Sequence, residues 1–254
     1  VNQARQRDML TTLSDHLNRA NHASGGSAGN SMIATAMMGA PTYMSCKVAQ
    51  DADGDIYLAD LEQSGVVHGL TERSADGVTG KCIVLITPDA ERSLNTHLGI
   101  SETLSTDEVD EAAIKGSEWV YLEGYLVTSP SGHAAALKTK ALAEAHGVKT
   151  AVSFSDPGMV KFFRDNMAAM VEGGVELVFC NDSEALEWGQ CDDLDTAIEA
   201  IKSVARRFVI TLGADGAVTW DGETLHRVAA KPVEAVNTNG AGDMFAGALL
   251  YALS

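Results

Sequence analysis

The stretch Glu176-Leu177-Val178-Phe179-Cys180-Asn181-Asp182-Ser183-Glu184 passes from one type of secondary structure to another. Its first part, which ends at Cys180, is an apolar run typical of a buried strand. Asn181 and Asp182 are residue types that favour a helix N-terminus, and Glu184 falls where a capping acid is expected, so the second part predicts a helix start. A strand that leads directly into a helix is the first half of a βαβ unit.

Further apolar runs of strand length occur along the chain, and helical patterns separate most of them. These runs are Lys81 to Thr87, Trp119 to Leu122, Thr150 to Phe154, and Phe208 to Leu212. Alternation at this spacing is typical of parallel βαβ units, so the sequence predicts a three-layer α/β fold with a mostly parallel sheet between helices. Ligands of such sheets bind at the carboxyl ends of the strands.

The segment 79–98 interrupts this alternation. Two strand-like pieces, Cys82 to Thr87 and Arg92 to His97, flank Pro88-Asp89-Ala90 without a helix between them. This pattern predicts a hairpin, here called the flap, that lies off the main sheet. A chain of 254 residues with 45% hydrophobic content can bury one sizeable core, so we expect residues 1–254 to form a single domain that carries the flap.

Two local predictions concern the N-terminal part of the chain. Residues 4–19 predict an amphipathic helix, because apolar side chains recur at helical spacing. These side chains are Met9, Leu10, Leu13 and Leu17. The stretch Thr42 to Ala49 predicts a strand, and a helical pattern follows around Leu58.

Composition excludes some classes of partner. With 35 acidic and 18 basic residues, the net charge is -17, which repels a nucleic-acid backbone, so we expect no nucleic-acid partner. The longest apolar stretch, Met244 to Leu253, is about half of what a bilayer crossing needs, so we expect no membrane association. Cys46, Cys82 and Cys180 lie in apolar runs that favour buried, reduced thiols, which is consistent with a cytoplasmic protein.

A glycine-rich turn near the C-terminus carries the most functional information. The segment Val236-Asn237-Thr238-Asn239-Gly240-Ala241-Gly242-Asp243 leads into an apolar helical pattern. The first amides of a helix lack partners within the helix, so they can bind an anion. Asp243 has no Lys, Arg or His within ten residues, and a carboxylate base beside an anion site indicates phosphoryl transfer. The alternative is that Asp243 only caps the helix.

Two other glycine-containing loops are candidate ligand sites. The first, Ser24 to Asn30, contains Gly25 and Gly26, which let the backbone approach a ligand, while Asn30 can bond a sugar hydroxyl. A plain helix-entry loop is the alternative. The second, Thr211 to Gly216, follows a strand and precedes Ala217 to Trp220, so a turn between two strands also explains it.

A candidate magnesium site lies at the strand-to-helix junction described first. Asn181 and Glu184 stand one turn apart on the same helix face, where both can point at a hydrated Mg²⁺. The alternative is that Asn181 or Asp182 caps the helix.

These motifs, taken in chain order, resemble those of the ribokinase or PfkB family of carbohydrate and nucleoside kinases. The segment Asn237 to Asp243 is similar to that family's Asp-Thr-x-Gly-Ala-Gly-Asp signature, and Gly25 to Asn30 is similar to its sugar-binding glycine pair with Asn. Asn181-x-x-Glu184 resembles its magnesium motif, and Thr211-x-Gly213-x-x-Gly216 resembles its nucleotide loop. The resemblance implies a three-layer αβα, ribokinase-like fold with a small β lid.

The resemblance implies a kinase that moves the γ-phosphoryl group of ATP to an alcohol, with Mg²⁺ as cofactor. Asp243 would accept the proton of a primary hydroxyl. Gly240, Ala241 and Gly242 would form the catalytic turn, in which the amides of Ala241, Gly242 and Asp243 hold the transferring phosphoryl group. Arg92, on the flap, would fold over the phosphates.

The same resemblance implies the binding residues. Magnesium would be positioned, through water, by Asn181 and Glu184. The nucleotide would be lined by Thr211, Gly213 and Gly216. The sugar or ribose would be held by Gly25, Gly26 and Asn30.

Within the family, three features look most like adenosine kinases: Glu91-Arg92-Ser93-Leu94, Tyr121 to Pro130, and Asn239. The expected partner is therefore a sugar or nucleoside. A pentose or hexose kinase without nucleoside activity and a non-catalytic nucleotide-binding remnant stay open, as does a homodimer. The family has a strand before the glycine pair and helices beyond the signature, so we expect this chain to be truncated at both ends.

Overall fold

A computed structural model describes residues 1–14, 22–70, 72–86, 92–234 and 238–254, and the side chain of Arg92 lies outside this description. The chain divides into two compact units. Unit 1 comprises Val1–Leu104 and Ala235–Tyr251, and unit 2 comprises Ser105–Glu234 and Ala252–Ser254. The single domain expected over residues 1–254 stays a prediction.

Between residues 119 and 211, strands and helices alternate as βαβ units require. The helices are α1 (Gln3–Thr12), α2 (Ser27–Met37), α3 (Ala52–Gln63), α4 (Glu111–Lys115), α5 (Pro130–His146), α6 (Pro157–Phe162), α7 (Arg164–Val171), α8 (Asp182–Gly189), α9 (Leu194–Lys202) and α10 (Ala241–Leu253). The strands are β1 (Thr42–Met44), β2 (Val66–His68), β3 (Lys81–Ile86), β4 (Arg92–His97), β5 (Trp119–Glu123), β6 (Lys149–Ser153), β7 (Val175–Asn181), β8 (Ala205–Thr211), β9 (Ala217–Trp220) and β10 (Leu225–Val228).

Unit 1 contains two small sheets. Strands β1 and β2 pair in parallel, and α2 and α3 pack beside them around Cys46, Leu61 and Val66. Strands β3 and β4 pair antiparallel in a sheet of their own, which confirms the predicted flap, although residues 87–91 between them lie outside the description. A hairpin of this size is marginally stable alone. Here Gln6 of α1 donates to the carbonyls of Lys81 and Asn95, one on each strand, at 2.9 and 2.7 Å.

Two local predictions in unit 1 are wrong, and a third is confirmed only in part. The strand predicted over Thr42 to Ala49 ends at Met44, because the chain beyond it pairs only through an isolated bridge at Ala49. The helix predicted over residues 4–19 is present as α1, but it ends at Thr12. Its one fully buried residue is the polar Gln6, and Leu10 of the predicted apolar stripe is 46% exposed. The part of the prediction beyond residue 14 lies outside the description. Cys82 is exposed, because it lies on a two-stranded hairpin with few neighbours to cover it.

Unit 2 is built on one six-stranded sheet in the order β10-β9-β8-β7-β6-β5. Strands β5 to β8 are parallel to one another, and β9 and β10 complete the sheet antiparallel. Helices flank this sheet, and the mostly parallel α/β fold predicted from the sequence is therefore confirmed. Four consecutive residues of β7, Leu177 to Cys180, are buried, as expected for a strand covered on both faces.

The ends of the unit 2 helices follow from local sequence signals. Helix α5 begins with Ser129 as the N-cap and Pro130 in the first turn, and it ends at Gly147, which adopts the left-handed conformation. Trp188 of α8 packs on Phe154 with ring centroids 5.0 Å apart, so the helix layer is fixed against the carboxyl ends of the strands. No helix in the described part of the chain is long and apolar enough to span a membrane.

Candidate active site

The glycine-rich turn forms the start of α10, as the sequence predicts. Gly240 has a φ of +76°, a conformation that favours glycine, and its carbonyl accepts from Met244 N at 2.9 Å. The amide of Ala241 donates to the carbonyl of Thr238 at 3.2 Å. Among the described residues, no backbone acceptor is assigned to the amides of Gly242 and Asp243. Two of the three expected phosphoryl-binding amides are thus available, while that of Ala241 is engaged.

The carboxylate of Asp243 is held by two side chains of α2. Ser27 Oγ donates to Oδ1 at 2.6 Å, and Asn30 Nδ2 donates to Oδ2 at 2.7 Å. The interpretation of Asp243 as the helix N-cap is wrong, because Asp243 is the third residue of α10 and its oxygens bond another helix. The side chain is half-buried, and no ion pair to it is found among the described residues. The two hydrogen bonds from α2 therefore fix the orientation of this side chain.

A close approach of two helices brings Asp243 to Ser27 and Asn30. A Cβ placed on Gly247 of α10 would lie 2.5 Å from the carbonyl oxygen of Ser31 on α2, so only glycine allows this contact. Thr35 Oγ1 of α2 donates to the Gly247 carbonyl at 3.0 Å. One turn earlier along α10, the same packing places Asp243 over the start of α2. The buried residues of α10 are Ala246, Gly247 and Leu250.

The predicted sugar-binding glycine pair lies at the start of α2. Gly26 is the N-cap residue with a φ of +87°, and its carbonyl accepts from Asn30 N at 2.9 Å. No heavy atom lies within 4 Å of a Cβ placed on Gly25 or Gly26, so the backbone here faces open space. Gly240 joins the same cluster, because its Cβ position would be 3.9 Å from Asn30 Nδ2. The structure thus brings together Gly25, Gly26, Asn30 and the Gly240 to Asp243 turn within unit 1.

The predicted magnesium residues of unit 2 form a capping box at the start of α8. Asn181 Oδ1 accepts from Glu184 N at 2.8 Å, and Glu184 Oε2 accepts from Asn181 N at 3.1 Å. The capping alternative is therefore confirmed for Asn181. Glu184 is only 5% exposed, and its pKa is raised from 4.5 to about 7, chiefly by burial and further by the nearby carboxylates of Asp156 and Asp182.

The predicted nucleotide loop follows β8 and turns the chain into β9. Thr211 lies directly beside Asn181 in the register of β8 and β7, so both are at the carboxyl edge of the sheet. The turn between the antiparallel strands is closed by Leu212 N, which donates to the Gly216 carbonyl at 2.8 Å. Gly213 and Gly216 have φ values of +56° and +94°, and the space beside Gly213 is open. The turn interpretation is confirmed, and ligand binding here stays a prediction.

Two residues that the sequence interpretation left without a role have distinctive geometry. Ser27 contacts Asp243, and its position after the glycine pair was the one available signal. Ser155 has a φ of +68°, unusual for a residue with a Cβ, and its Oγ accepts from Gly124 N at 2.8 Å. The side chain of Arg92 and all of Asn237 lie outside the described residues.

Comparison with known proteins identifies the family. Residues 3–254 match the family model of the pfkB family carbohydrate kinases. The chain is similar to the adenosine kinase of Sinorhizobium meliloti, with 32% identity, a TM-score of 0.91 and coverage of 100% of this chain and 77% of that one. It is likewise similar to a probable sugar kinase of Rhizobium etli CFN 42, with 32% identity, a TM-score of 0.92 and coverage of 100% and 76%.

A curated relative agrees with the structural neighbours. The chain is 29% identical over 238 residues to the ribokinase of Mus musculus, which covers 91% of this chain and 71% of that protein. The match thus extends over both units and over all of the motifs whose geometry is described above. The chain belongs to the pfkB family of carbohydrate kinases.

Proposed function

We propose that this protein transfers the γ-phosphoryl group of ATP to a primary hydroxyl of a sugar or nucleoside. The observation that carries this proposal is the carboxylate of Asp243, which Ser27 and Asn30 orient at the start of α10. The amides of Gly242 and Asp243 in the same turn have no backbone acceptor among the described residues. Membership of a kinase family supports the same chemistry.

Asp243 acts as the general base in this proposal. Its Oδ2 accepts a hydrogen bond from the side-chain amide of Asn30, and this contact keeps the carboxylate in place. Its Oδ1 is bonded only to the rotatable hydroxyl of Ser27 among the described contacts, so an acceptor hydroxyl can replace that partner and deliver its proton to Oδ1. The acceptor oxygen then attacks the γ-phosphorus of ATP.

The amides of Gly242 and Asp243 stabilise the charge of the transferring group. Donors held by a folded backbone need no reorganisation when negative charge spreads over the equatorial oxygens. A Cβ on Gly242 would meet no heavy atom of the described residues within 4 Å, which leaves space at this point for a phosphoryl group. The role expected for the Ala241 amide is the weakest of the three, because that group already donates to Thr238.

The residues present fit a hydrated magnesium ion rather than a closed protein cage. No group of three or more His, Cys, Asp or Glu side chains that can hold a metal occurs in the described residues. Asn181 and Glu184 each use one side-chain oxygen in the capping box. A cation bound through water would reduce the electrostatic repulsion between Glu184 and the carboxylates of Asp156 and Asp182. When bound with ATP, Mg²⁺ would neutralise charge on the phosphate oxygens.

The sugar-binding and nucleotide-binding roles are proposed from the resemblance to the family and from the open space beside the glycines. We assign the sugar to Gly25, Gly26 and Asn30, whose surroundings are open on the glycine side. We assign the nucleotide to Thr211, Gly213 and Gly216 at the carboxyl edge of the unit 2 sheet, where ligands of parallel sheets bind. Arg92 stays the proposed flap residue that closes over the phosphates.

The acceptor class is proposed from the relatives. The S. meliloti protein is named an adenosine kinase and the R. etli protein a probable sugar kinase, and both are 32% identical to this chain. The flap sequence and the segment Tyr121 to Pro130 resemble those of adenosine kinases, which favours a nucleoside, so adenosine is the first acceptor to test.

The test measures acceptor-dependent release of ADP from Mg-ATP, with adenosine, other nucleosides, ribose and hexoses offered singly. Phosphorus NMR then locates the new phosphate ester on the product. Each acceptor is paired with its deoxy analogue that lacks the primary hydroxyl, such as 5′-deoxyadenosine. We expect ADP release with one class of acceptor and none with its analogue. Equal release with the analogue would exclude the primary hydroxyl as the acceptor, and no acceptor-dependent release would defeat the kinase proposal.

Two further properties belong to this proposal. We place the protein in the cytoplasm, because Cys46, Cys82, Cys180 and Cys191 are all free thiols, as in a reducing compartment. Its partners are small molecules, and the net charge of -17 disfavours nucleic acid. A homodimer stays a prediction, to be tested by the mass of the protein in solution.

A further inference from the structure

Ser27 presents a primary alcohol to Asp243. The side chain of serine is a hydroxymethyl group, which is the same functional group as the acceptor of the proposed reaction. Its Oγ lies 2.6 Å from Asp243 Oδ1 and donates to it, which is the geometry a general base needs to remove a proton from an alcohol. Both residues lie in unit 1, and the Asn30 amide holds the other carboxylate oxygen at 2.7 Å.

We infer that Ser27 is itself a phosphorylation site, which the enzyme modifies with ATP when no acceptor is bound. This inference rests on the proposed function. In the step, a bond forms between Ser27 Oγ and the γ-phosphorus while the bond from that phosphorus to the β–γ bridging oxygen breaks. ADP leaves with the electron pair of the broken bond, and the hydroxyl proton passes to Asp243 Oδ1.

The contacts explain why Ser27 is the residue modified. The other partner of Asp243, Asn30, offers an amide nitrogen, whose lone pair is delocalised and which is a poor nucleophile. Ser31 lies one turn further along α2 and is fully buried, so its hydroxyl is shielded. Ser24 lies in the loop before the glycine pair, and its described contact is a backbone one, from its amide to Asp60. Only Ser27, among these hydroxyls, has a described contact with the base.

The acceptor and Ser27 compete for one carboxylate oxygen. An acceptor hydroxyl that takes the place of Ser27 at Oδ1 removes the base from Ser27, so a bound acceptor protects the site. Once modified, Ser27 carries roughly -1.5 to -2 charges beside the carboxylate of Asp243. Because that repulsion disfavours the same contact and blocks the acceptor position, the phosphorylated enzyme is inactive. The modification therefore acts as a brake that is set when ATP is present and the acceptor is scarce.

The test incubates the purified chain with Mg-ATP and no acceptor, and intact mass spectrometry then follows the gain of one phosphoryl group. Fragmentation of the peptide that contains Ser24, Ser27 and Ser31 locates it. We expect one phosphoryl group at Ser27 in the wild type and in Ser24→Ala, the matched control that removes a nearby hydroxyl. We expect none in Ser27→Ala, and a rate at least about 100-fold lower in Asp243→Asn, as for loss of a general base. Saturation with the accepted sugar or nucleoside should suppress labelling.

Several outcomes would overturn the inference. A preparation that phosphorylates its acceptor but never labels Ser27 excludes it and leaves the proposed function intact. ADP release without acceptor and without protein phosphate assigns the turnover to water. Labelling that is unchanged in Asp243→Asn shows that another group removes the proton. Conversely, labelling of Ser27 with no active acceptor found supports the inference, while the proposed transfer to a sugar or nucleoside fails.

Discussion

Replacement of Glu184 by Gln should stabilise the protein, and the gain should depend on pH. Glu184 is 95% buried in α8, since only 5% of it is exposed, and its pKa is raised from 4.5 to about 7 by burial and by Asp156 and Asp182. The folded state therefore holds a proton on this side chain over a pH range in which the unfolded state has released it. Stability from this group is fully present below about pH 4.5 and is lost as the pH rises through about 7.

The magnitude follows from the two pKa values. Their difference corresponds to about 3 kcal/mol at roughly 1.4 kcal/mol per pK unit. Gln is neutral at every pH and keeps an oxygen to accept from Asn181 N, so the capping box survives the substitution. Between pH 5 and pH 8, the free energy of unfolding of Glu184→Gln relative to the wild type should rise by about 2 to 3 kcal/mol.

Urea unfolding followed by tryptophan fluorescence measures this change. Trp119, Trp188 and Trp220 all lie in unit 2, as Glu184 does, so the signal reports the unit that carries the substitution. Glu187→Gln is the matched control, because it removes one negative charge from the same helix and leaves the buried carboxyl in place. A difference between the two variants that stays constant from pH 5 to pH 8 would refute the assignment of a protonated, buried Glu184.

Three further glycine substitutions separate stability from activity. Gly216→Ala should lower the free energy of unfolding by more than about 3 kcal/mol in urea titrations, because the φ of Gly216 is +94° and a Cβ there would collide with the Val228 carbonyl. Gly213→Ala should lower it by only about 1 kcal/mol, because the surroundings of Gly213 are open. A similar cost for both would contradict the close approach. Gly242→Ala should leave stability unchanged or raised by up to about 1 kcal/mol, since no atom lies within 4 Å of its Cβ position, yet lower kcat at least about tenfold because the methyl group enters the proposed phosphoryl site. Full activity in steady-state assays of this variant would remove Gly242 from that site.

The central strands of the unit 2 sheet, β6, β7 and β8, were predictable because each contains a run of consecutive buried residues. A strand covered on both faces carries consecutive apolar residues instead of alternating polar ones, so the sequence indicates the strand that ends at Asn181. The capping signals of Asn181 and Glu184 then indicate where the helix begins. The observed β7, Val175–Asn181, extends the predicted strand by one residue at each end. The flap was predictable for a different reason, since two short strand-like pieces without a helix between them indicate a hairpin.

Long-range packing explains what sequence patterns missed. The contact of Ser27 with Asp243 joins residues 216 positions apart, and it depends on the absence of a Cβ at Gly247, which no local pattern reveals. Helix α1 presents a similar case, because the polar Gln6 is buried only where two hairpin carbonyls accept from it. A polar side chain with partners packs as well as an apolar one, and its partners lie far along the chain.

From the sequence alone, Asp243 is either a general base or a helix cap. A polar side chain near a helix start is usually a cap, and this is the role of Asn181 in α8. Asp243 lies at the third position of α10, as Glu184 does in α8, but it differs because side chains of α2 hold both of its oxygens. Only the three-dimensional arrangement distinguishes these two cases.

The rate of phosphoryl transfer in Asp243→Asn tests the central proposal most directly. Asn is isosteric with Asp but accepts no proton at neutral pH, so kcat with the best acceptor should fall by about 10² to 10⁴ while the affinity for ATP is retained. Asn30→Ala serves for comparison, since it removes an orienting contact at 2.7 Å and leaves the base in place, so its loss of kcat should be smaller. A loss of less than about tenfold in Asp243→Asn would show that this carboxylate does not remove the acceptor proton.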